Sequence, residues 1–144
     1  MKRHRSSDDT ALAQIWRDAW ASANPDISTV APLEHWVERV RLELGPPNLV
    51  LAHRHDGHLV AFGVLDVNAA YLHQLHVAPS AQGRGIGGML IGRVKELCPT
   101  GWALHVAVSN ERAQRFYVRH GLTAGQTTPN PITGRKRILY SWRS

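Results

Sequence analysis

The sequence contains a single cysteine, Cys98, and has no apolar run long enough to span a bilayer. One thiol cannot close an internal disulfide, which fits a reducing compartment, and we interpret Cys98 as a small buried side chain near a helix end. The amino-terminal MKRHRSSDD has no apolar stretch of the kind found in a signal peptide. We therefore expect a soluble, cytoplasmic protein with no membrane partner.

Acidic side chains are also scarce: 11 stand against 17 basic ones, which gives a formal net charge of +6. An excess of this sign attracts polyanions such as nucleic acids, anionic lipids or phosphorylated small molecules. The basic residues are spread along the chain, and no nucleic-acid-binding motif accompanies them. We therefore expect no nucleic-acid partner, although the sign of the charge alone does not choose between the other polyanions.

The hydrophobic periodicity predicts a single α/β domain over residues 1–144, built on a mixed sheet. Its predicted order is a short leading strand, two helices, three strands, a helix, a strand, a helix and two strands. Strands 70–77 and 102–108 flank a helix, so they are the pair expected to run parallel. The helices are predicted near 8–23, 32–45, 85–97 and 110–120, and the other strands near 48–53, 58–67, 122–127 and 136–142.

The stretch QGRGIGGML at residues 82–90 concentrates glycine between a predicted strand and a predicted helix. Free amides at a helix N-terminus, with no side chains in the way, form a site for phosphate. A Walker loop would require Lys-Ser/Thr after the glycines, and Gly-Met is present instead. Gly83, Gly85 and Gly88 match a dinucleotide fingerprint, but they lie too far beyond the strand. No acidic residue follows at the required distance, so a nicotinamide oxidoreductase is only an outside alternative.

Two motifs of the chain resemble those of the Gcn5-related N-acetyltransferase (GNAT) family. Residues 82–87 satisfy Gln/Arg-x-x-Gly-x-Gly/Ala within LHQLHVAPSAQGRGIGGMLI, and SNERAQRFYVRHGL at 109–122 is similar to the family's second signature. The resemblance implies the GNAT acyl-CoA N-acyltransferase fold, with strands 70–77 and 102–108 parallel and splayed. It also implies an N-acetyltransferase that uses acetyl-CoA as co-substrate and no metal.

In that family acetyl-CoA lies between the two splayed strands. The resemblance implies that backbone groups of Leu75 and Val77 pair with the pantetheine arm, and that Gln82 adds a side-chain contact. The glycine-rich turn would hold the pyrophosphate. Residues of the helix after the second strand would contact the pantetheine arm. The implied cofactor-binding residues are thus completed by Gly83, Arg84, Gly85, Ile86, Gly87, Gly88, Asn110, Ala113 and Tyr117.

The resemblance also implies that Tyr117 donates a proton to the departing thiolate. Many family members use a glutamate on a central strand as the base, and neither strand has one here. His73 and His105 are the candidates, and a water-mediated route or no dedicated base is the alternative. Strand alternation places Tyr71 and His73 on one face and His76 on the other. It places His105 on a face with small neighbours.

The predicted reaction is direct transfer of acetyl from acetyl-CoA to a primary amine of a small molecule, peptide or protein. A non-catalytic module that binds or senses acyl-CoA remains the alternative. The acceptor cleft would involve the two N-terminal helices and loop 127–136, and Trp20, His35 and Trp36 fit either that cleft or helix packing. A zinc site at His53-x-His55 or His73-x-x-His76 is not expected. Relatives are commonly homodimers, so the resemblance also allows a homodimer.

Overall fold

A computed structural model describes residues 8–144. The predicted leading strand would precede the first helix, on residues 1–7, and lies outside the described residues. The remaining elements follow the predicted order. The helices are α1 (Asp9–Ala23), α2 (Leu33–Glu43), α3 (Ile86–Leu97) and α4 (Glu111–Arg119); the strands are β1 (Leu49–His55), β2 (His58–Asp66), β3 (Tyr71–Val77), β4 (Gly101–Ala107), β5 (Thr123–Pro129) and β6 (Lys136–Arg143).

The strands form one mixed sheet in the order β1-β2-β3-β4-β6-β5. Only β3 and β4 are parallel neighbours among the described strands, which confirms the predicted pair. The crossover between them is α3, as a parallel connection requires. The α/β fold predicted from the sequence is therefore correct for residues 8–144.

The two faces of the sheet carry separate cores. Helices α1 and α2 pack on one face, where Trp16, Trp36 and Phe62 are buried together. Helices α3 and α4 pack on the other face against side chains such as Leu104 and Tyr140. Because α1 and α2 cover the β1–β3 half of their face, the β4–β6 half of that face carries no helix core among residues 8–144.

The parallel strands β3 and β4 meet only where they begin. Their one register pair is Tyr71 with Ala103, and the Ala103 amide donates to the Ala70 carbonyl at 3.0 Å. Beyond this point β4 continues to pair with β6 along its whole length, while β3 pairs with β2. A gap therefore opens between β3 and β4 toward their carboxyl ends, which is where ligands enter open α/β sheets.

A β-bulge at His73 sets the direction of the second half of β3. Val64 pairs with Gln74 and Leu65 with Leu72, so His73 is the extra residue. The Ala78 amide donates to the Val60 carbonyl of β2 at 2.8 Å. Because backbone groups of alternate residues point to the same neighbouring strand, those of residues 74 and 76 also point toward β2. The backbone groups of residues 75 and 77 therefore face the gap.

The bulge also corrects a prediction about His76, which strand alternation placed opposite Tyr71. His76 pairs with Phe62 and contacts the α1 side, and its Nε2 lies 2.8 Å from the Gln74 Oε1. Leu72 lies in the opposite core, so Tyr71 also faces the α1 side. The extra residue shifts the alternation by one, and Tyr71 and His76 share a face.

Cys98 is buried at the end of α3, as predicted, with its Sγ 4.0 Å from the Val67 carbonyl oxygen. Within residues 8–144, no helix combines the length and the apolar character that crossing a bilayer requires. The same part of the chain contains no cluster of three His, Cys, Asp or Glu side chains arranged to hold a metal ion.

Candidate active site

The glycine-rich turn begins directly after β3 and ends at the N-terminus of α3. A short 3-10 helix (Pro79–Ala81) follows the strand, and Gln82 Nε2 then donates to the Val77 carbonyl at 3.2 Å. Gly83 and Gly85 have φ values of 80° and 76°. Residues with side chains rarely adopt this left-handed conformation, so these two glycines give the turn its shape.

Six consecutive amides, those of residues 83–88, form no hydrogen bond with any other described residue. The first amide bonded within the helix is that of Met89, which donates to the Gly85 carbonyl at 3.1 Å. Gly83, Arg84 and Gly85 are exposed, so this array of donors is open to solvent. Together with the helix dipole, it provides an N-terminal site for an anion beside the gap.

Gly87 and Gly88 have a second role, which the sequence analysis did not recognise. A Cβ on Gly87 would lie 3.0 Å from the Phe116 Cζ, and one on Gly88 would lie 2.9 Å from the His120 Cε1. The first distance is tighter than most carbon contacts and the second is shorter than carbon contacts allow, so the two rings would have to shift. These glycines therefore allow α3 to approach α4 closely, in addition to any contact with a ligand.

We expect Gly88→Ala to leave the free energy of unfolding nearly unchanged, because displacement of the His120 ring offsets the helix-propensity gain of about 0.5–1 kcal/mol. In the same helix, Gly92→Ala should raise it by about 0.5–1 kcal/mol, because nothing lies within 4 Å of the added Cβ. Urea denaturation of both variants measures the difference. Equal stabilisation by both substitutions would contradict the packing role of Gly88.

The N-terminus of α4 follows β4 and borders the same gap. Asn110 caps this helix, with its Oδ1 accepting a hydrogen bond from the Ala113 amide at 3.1 Å. The cap is compatible with the predicted cofactor contact of Asn110, which stays a prediction. Gln114 Nε2 donates to the Val108 carbonyl at 2.8 Å, which ties the helix to the end of β4.

Tyr117 lies on the buried side of α4, with 6% of its surface exposed. Its ring packs near Phe116 and Tyr140, and its hydroxyl forms no hydrogen bond with another of residues 8–144. Burial raises the pKa of the phenol above its ordinary value. The group is therefore protonated at any working pH and has a proton to donate.

The two histidines predicted as bases meet around a residue that the sequence analysis did not select, Tyr71. The Tyr71 ring lies 4.8 Å from the His73 ring and 5.6 Å from the His105 ring, centroid to centroid. Its hydroxyl is hydrogen-bonded to the His105 Nδ1. The sequence signal was available, because Tyr71 shares a strand face with His73 and precedes the splay.

The electrostatics of this cluster keep His105 neutral. Burial, and then the charge of Arg137, lower the pKa of His105 below its ordinary value. Burial raises the pKa of Tyr71, although Arg137 and the hydrogen bond to His105 oppose the rise. Near neutral pH, an uncharged imidazole and an uncharged phenol therefore share one hydrogen bond beside the gap.

His76 lies apart from this cluster, with its ring centroid 5.5 Å from that of Phe62 and 6.0 Å from that of Trp16. Burial, and then the charge of Arg39, lower the pKa of His76 to about 4. In the unfolded chain the pKa is near 6.5, so the unfolded state binds more protons between these two values.

We therefore expect stability to fall as the pH is lowered from about 6.5 to about 4, with a contribution from His76 of at most about 3 kcal/mol. Part of the ring surface is exposed, which makes this an upper limit. His76→Gln should flatten the dependence, whereas His58→Gln, at an exposed position, should not. Identical pH profiles of unfolding for wild type and His76→Gln would contradict this assignment.

Trp36, one of the residues considered for an acceptor cleft, belongs to the core instead. It is 3% exposed, its ring contacts Trp16, and its Nε1 donates to the Ala31 carbonyl at 3.2 Å. Trp20 and His35 both pack against its ring. The predicted loop 127–136 is shorter than expected, because its ends belong to β5 and β6. In the turn that remains, the Asn130 amide donates to the Arg135 carbonyl at 2.7 Å.

Comparison with known proteins identifies the pattern. The model of the acetyltransferase (GNAT) family matches residues 10–122. An uncharacterized N-acetyltransferase of Mycobacterium tuberculosis (strain H37Rv) is 32% identical over 89 residues, which are 57% of this chain and 57% of that protein. The match thus spans little more than half the length of that curated relative.

Solved structures share the fold at low sequence identity. The crystal structure of a GCN5-related N-acetyltransferase from Rhodopseudomonas palustris has a TM-score of 0.80 at 18% identity, covering 99% of this chain and 94% of that one. The crystal structure of the PaiA N-acetyltransferase from Thermoplasma acidophilum, in complex with coenzyme A, has a TM-score of 0.75 at 18% identity, covering 99% and 97%. At such identities the likeness establishes the fold alone.

Proposed function

Because the chain belongs to the GNAT family of acetyltransferases, we propose that it transfers an acetyl group from acetyl-CoA to a primary amine by direct attack in a ternary complex. The observation that carries the proposal is the set of six unpaired amides at residues 83–88, beside an open gap between parallel strands. A diphosphate fits such donors, and an extended amide-containing arm fits the unpaired strand edge. No other part of the described chain combines these features.

On this proposal, the diphosphate of coenzyme A binds at residues 83–88 and its pantetheine arm lies along β3. The backbone groups of Leu75 and Val77 face that arm, although the Val77 carbonyl already accepts from Gln82. Gln82 would therefore act mainly by fixing the turn. Asn110 and Ala113 border the arm from α4, and Arg84 is exposed near the phosphates.

The acceptor must lose a proton, because only a neutral amine attacks a thioester. An amine with a pKa near 10.4 requires about 4–5 kcal/mol to become neutral at pH 7. We propose that Tyr71 takes the proton from the amine nitrogen while its own hydroxyl proton passes to the His105 Nδ1. His105 ends as an imidazolium, and the neutral amine then forms the C–N bond. The second proton that the nitrogen loses restores the Tyr117 hydroxyl after Tyr117 has protonated the thiolate.

Tyr117 acts on the leaving group. As the C–S bond breaks, the negative charge that develops on sulfur is stabilised by the Tyr117 hydroxyl, which then passes its proton to the thiolate. Tyr117 belongs to the α4 side of the sheet and Tyr71 to the opposite side, so the acid and the base reach the thioester through the gap from opposite faces.

Replacement of one turn glycine tests the binding step. Gly85→Ala forces a side chain into a left-handed conformation and displaces the neighbouring amides. We expect the Kd for coenzyme A, measured by calorimetry, to rise at least about tenfold, since a single hydrogen bond to a charged group contributes about 1.5–3 kcal/mol.

Gly57→Ala is the matched control, because Gly57 has a φ of 79° and open space in the β1–β2 hairpin. Gly57→Ala should lower the free energy of unfolding by a similar amount without changing the Kd for coenzyme A. Equal Kd values for wild type and Gly85→Ala would contradict binding at the turn.

Turnover is tested by mixing the protein with acetyl-CoA and a panel of amines, then measuring free thiol and the mass gain of the acceptor. We expect saturable transfer to at least one amine class. Tight binding of coenzyme A without transfer to any amine would favour the alternative, a module that binds or senses acyl-CoA.

A further inference from the structure

Arg137 lies near the start of β6, beside the open end of the gap between β3 and β4. It pairs with Ala107 across the β4–β6 ladder, while Leu139 pairs with His105. Paired residues of antiparallel strands project to the same face, so Arg137 and His105 share the face of the sheet that carries no helix core at this half. Leu139, which lies opposite His105, is two residues from Arg137. Two residues span about 7 Å along a strand, so the Arg137 backbone lies about that far from the position opposite His105.

One donor of the Arg137 guanidinium, its Nε, lacks a hydrogen-bond acceptor among the described residues. This nitrogen is also buried. The ion pairs that arginines form within residues 8–144 involve Arg17, Arg39, Arg41 and Arg54, and none involves Arg137. A buried charged donor without an acceptor is unfavourable, so a ligand that supplies one would be bound.

The charge of the surrounding chain has the same sign. Residues 1–96 contain ten basic and ten acidic side chains, whereas residues 97–144 contain seven basic ones and a single acidic one, Glu111. All of the excess positive charge thus belongs to the segment that forms β4, α4, β5 and β6. The charge of Arg137 opposes the rise in the pKa of Tyr71 and contributes to lowering the pKa of His105, so it acts where the amine would be deprotonated.

We propose that Arg137 binds a carboxylate of the acceptor, so that the substrate is an amino carboxylic acid whose carboxylate lies a few bonds from the acetylated nitrogen. The inference rests on the proposed function, because it places the amine at Tyr71 and His105. A guanidinium binds a carboxylate through two parallel hydrogen bonds, which would occupy the Nε and orient the amine toward the gap. Arg137 is then a specificity-determining residue.

The test compares amino acids with their own amides as acceptors, using leucine and leucinamide, methionine and methioninamide, and glutamate and isoglutamine. We expect kcat/KM for each acid to exceed that for its amide at least about tenfold, the effect of one charged hydrogen bond. Arg137→Gln should abolish this preference through the KM of the acceptor and leave the KM of acetyl-CoA within about twofold. Arg137→Lys should retain part of the preference.

Arg135→Gln is the matched control, because Arg135 is exposed two residues away and the change in net charge is the same. The preference should survive in this variant. Amides acetylated as well as acids, or a preference that persists in Arg137→Gln, would overturn the inference and leave acetyl transfer standing.

A binding measurement keeps the inference testable even without turnover. With coenzyme A present, N-acetyl-leucine should shift the 15N-detected Nε–H signal of Arg137, and N-acetyl-leucinamide should not. No shift up to millimolar N-acetyl-leucine would overturn the carboxylate site. The proposed function would instead fail if coenzyme A did not bind or no amine were acetylated.

Discussion

Replacing Tyr117 with phenylalanine is expected to lower kcat by about 10²-fold or more, the usual contribution of a positioned general acid. The KM of acetyl-CoA should change little, because the phenol acts on charge that appears only as the C–S bond breaks. Thiol release under saturating substrates measures the effect. The fold should be unaffected, since the Tyr117 hydroxyl forms no hydrogen bond with residues 8–144 that the substitution would remove.

Tyr140→Phe provides the control for Tyr117. Tyr140 is equally buried, its ring centroid lies 6.5 Å from that of Tyr117, and its hydroxyl donates to the Gln114 Oε1 at 3.2 Å. Loss of this hydrogen bond should lower the free energy of unfolding by about 1 kcal/mol and change kcat little. If both variants keep wild-type kcat, Tyr117 is a packing residue and another group protonates the thiolate.

Burial of Tyr117 has two opposing effects on this step. The raised pKa of the phenol keeps its proton in place before the reaction, but it also makes complete transfer to sulfur less favourable. The Tyr117 hydroxyl forms no hydrogen bond with residues 8–144, so it can donate to a new anion without breaking one, which favours electrostatic stabilisation as the charge develops. The predicted loss in Tyr117→Phe therefore does not require that the proton be fully transferred.

The sequence predicted the elements of residues 8–144 well, because their signals are local. Helix α3 has apolar side chains at Ile86, Leu90 and Val94, and all three are buried. The dipeptide Asp56-Gly57 between β1 and β2 is a local hairpin signal, and both residues have positive φ. The parallel pairing of β3 and β4 followed from the crossover rule, which depends only on element order.

What the sequence did not predict depends on contacts between distant segments. The bulge at His73 arises from the register of β2 against β3, and it overturned the alternation that placed His76 opposite Tyr71. Similarly, the packing of Gly87 and Gly88 against Phe116 and His120 became visible only once α3 and α4 were placed together. Tyr71 shares a strand face with His73 in the sequence pattern, but its hydrogen bond with His105, 34 residues away along the chain, became visible only in the fold.

The residues that deprotonate the amine are distinguished by a double-mutant cycle. If Tyr71 and His105 form one proton relay, Tyr71→Phe and His105→Gln should each lower kcat by about 10²-fold, and the double variant should be no slower than either single one. Multiplication of the two losses would show that they act independently. His73→Gln is the control, because His73 is exposed and contacts the Tyr71 ring by its edge, and its kcat should fall less than about threefold.

The pH dependence of kcat provides a second test of His105. The relay requires neutral His105, so protonation of the imidazole abolishes the reaction as the pH falls. Because burial and Arg137 lower the pKa of His105, the acidic limb should lie below the ordinary histidine value near 6.5. His105→Gln should remove that limb from its residual activity, whereas a limb that survives in His105→Gln and disappears in His73→Gln would assign the base to His73, because only the titrating group can carry the limb with it.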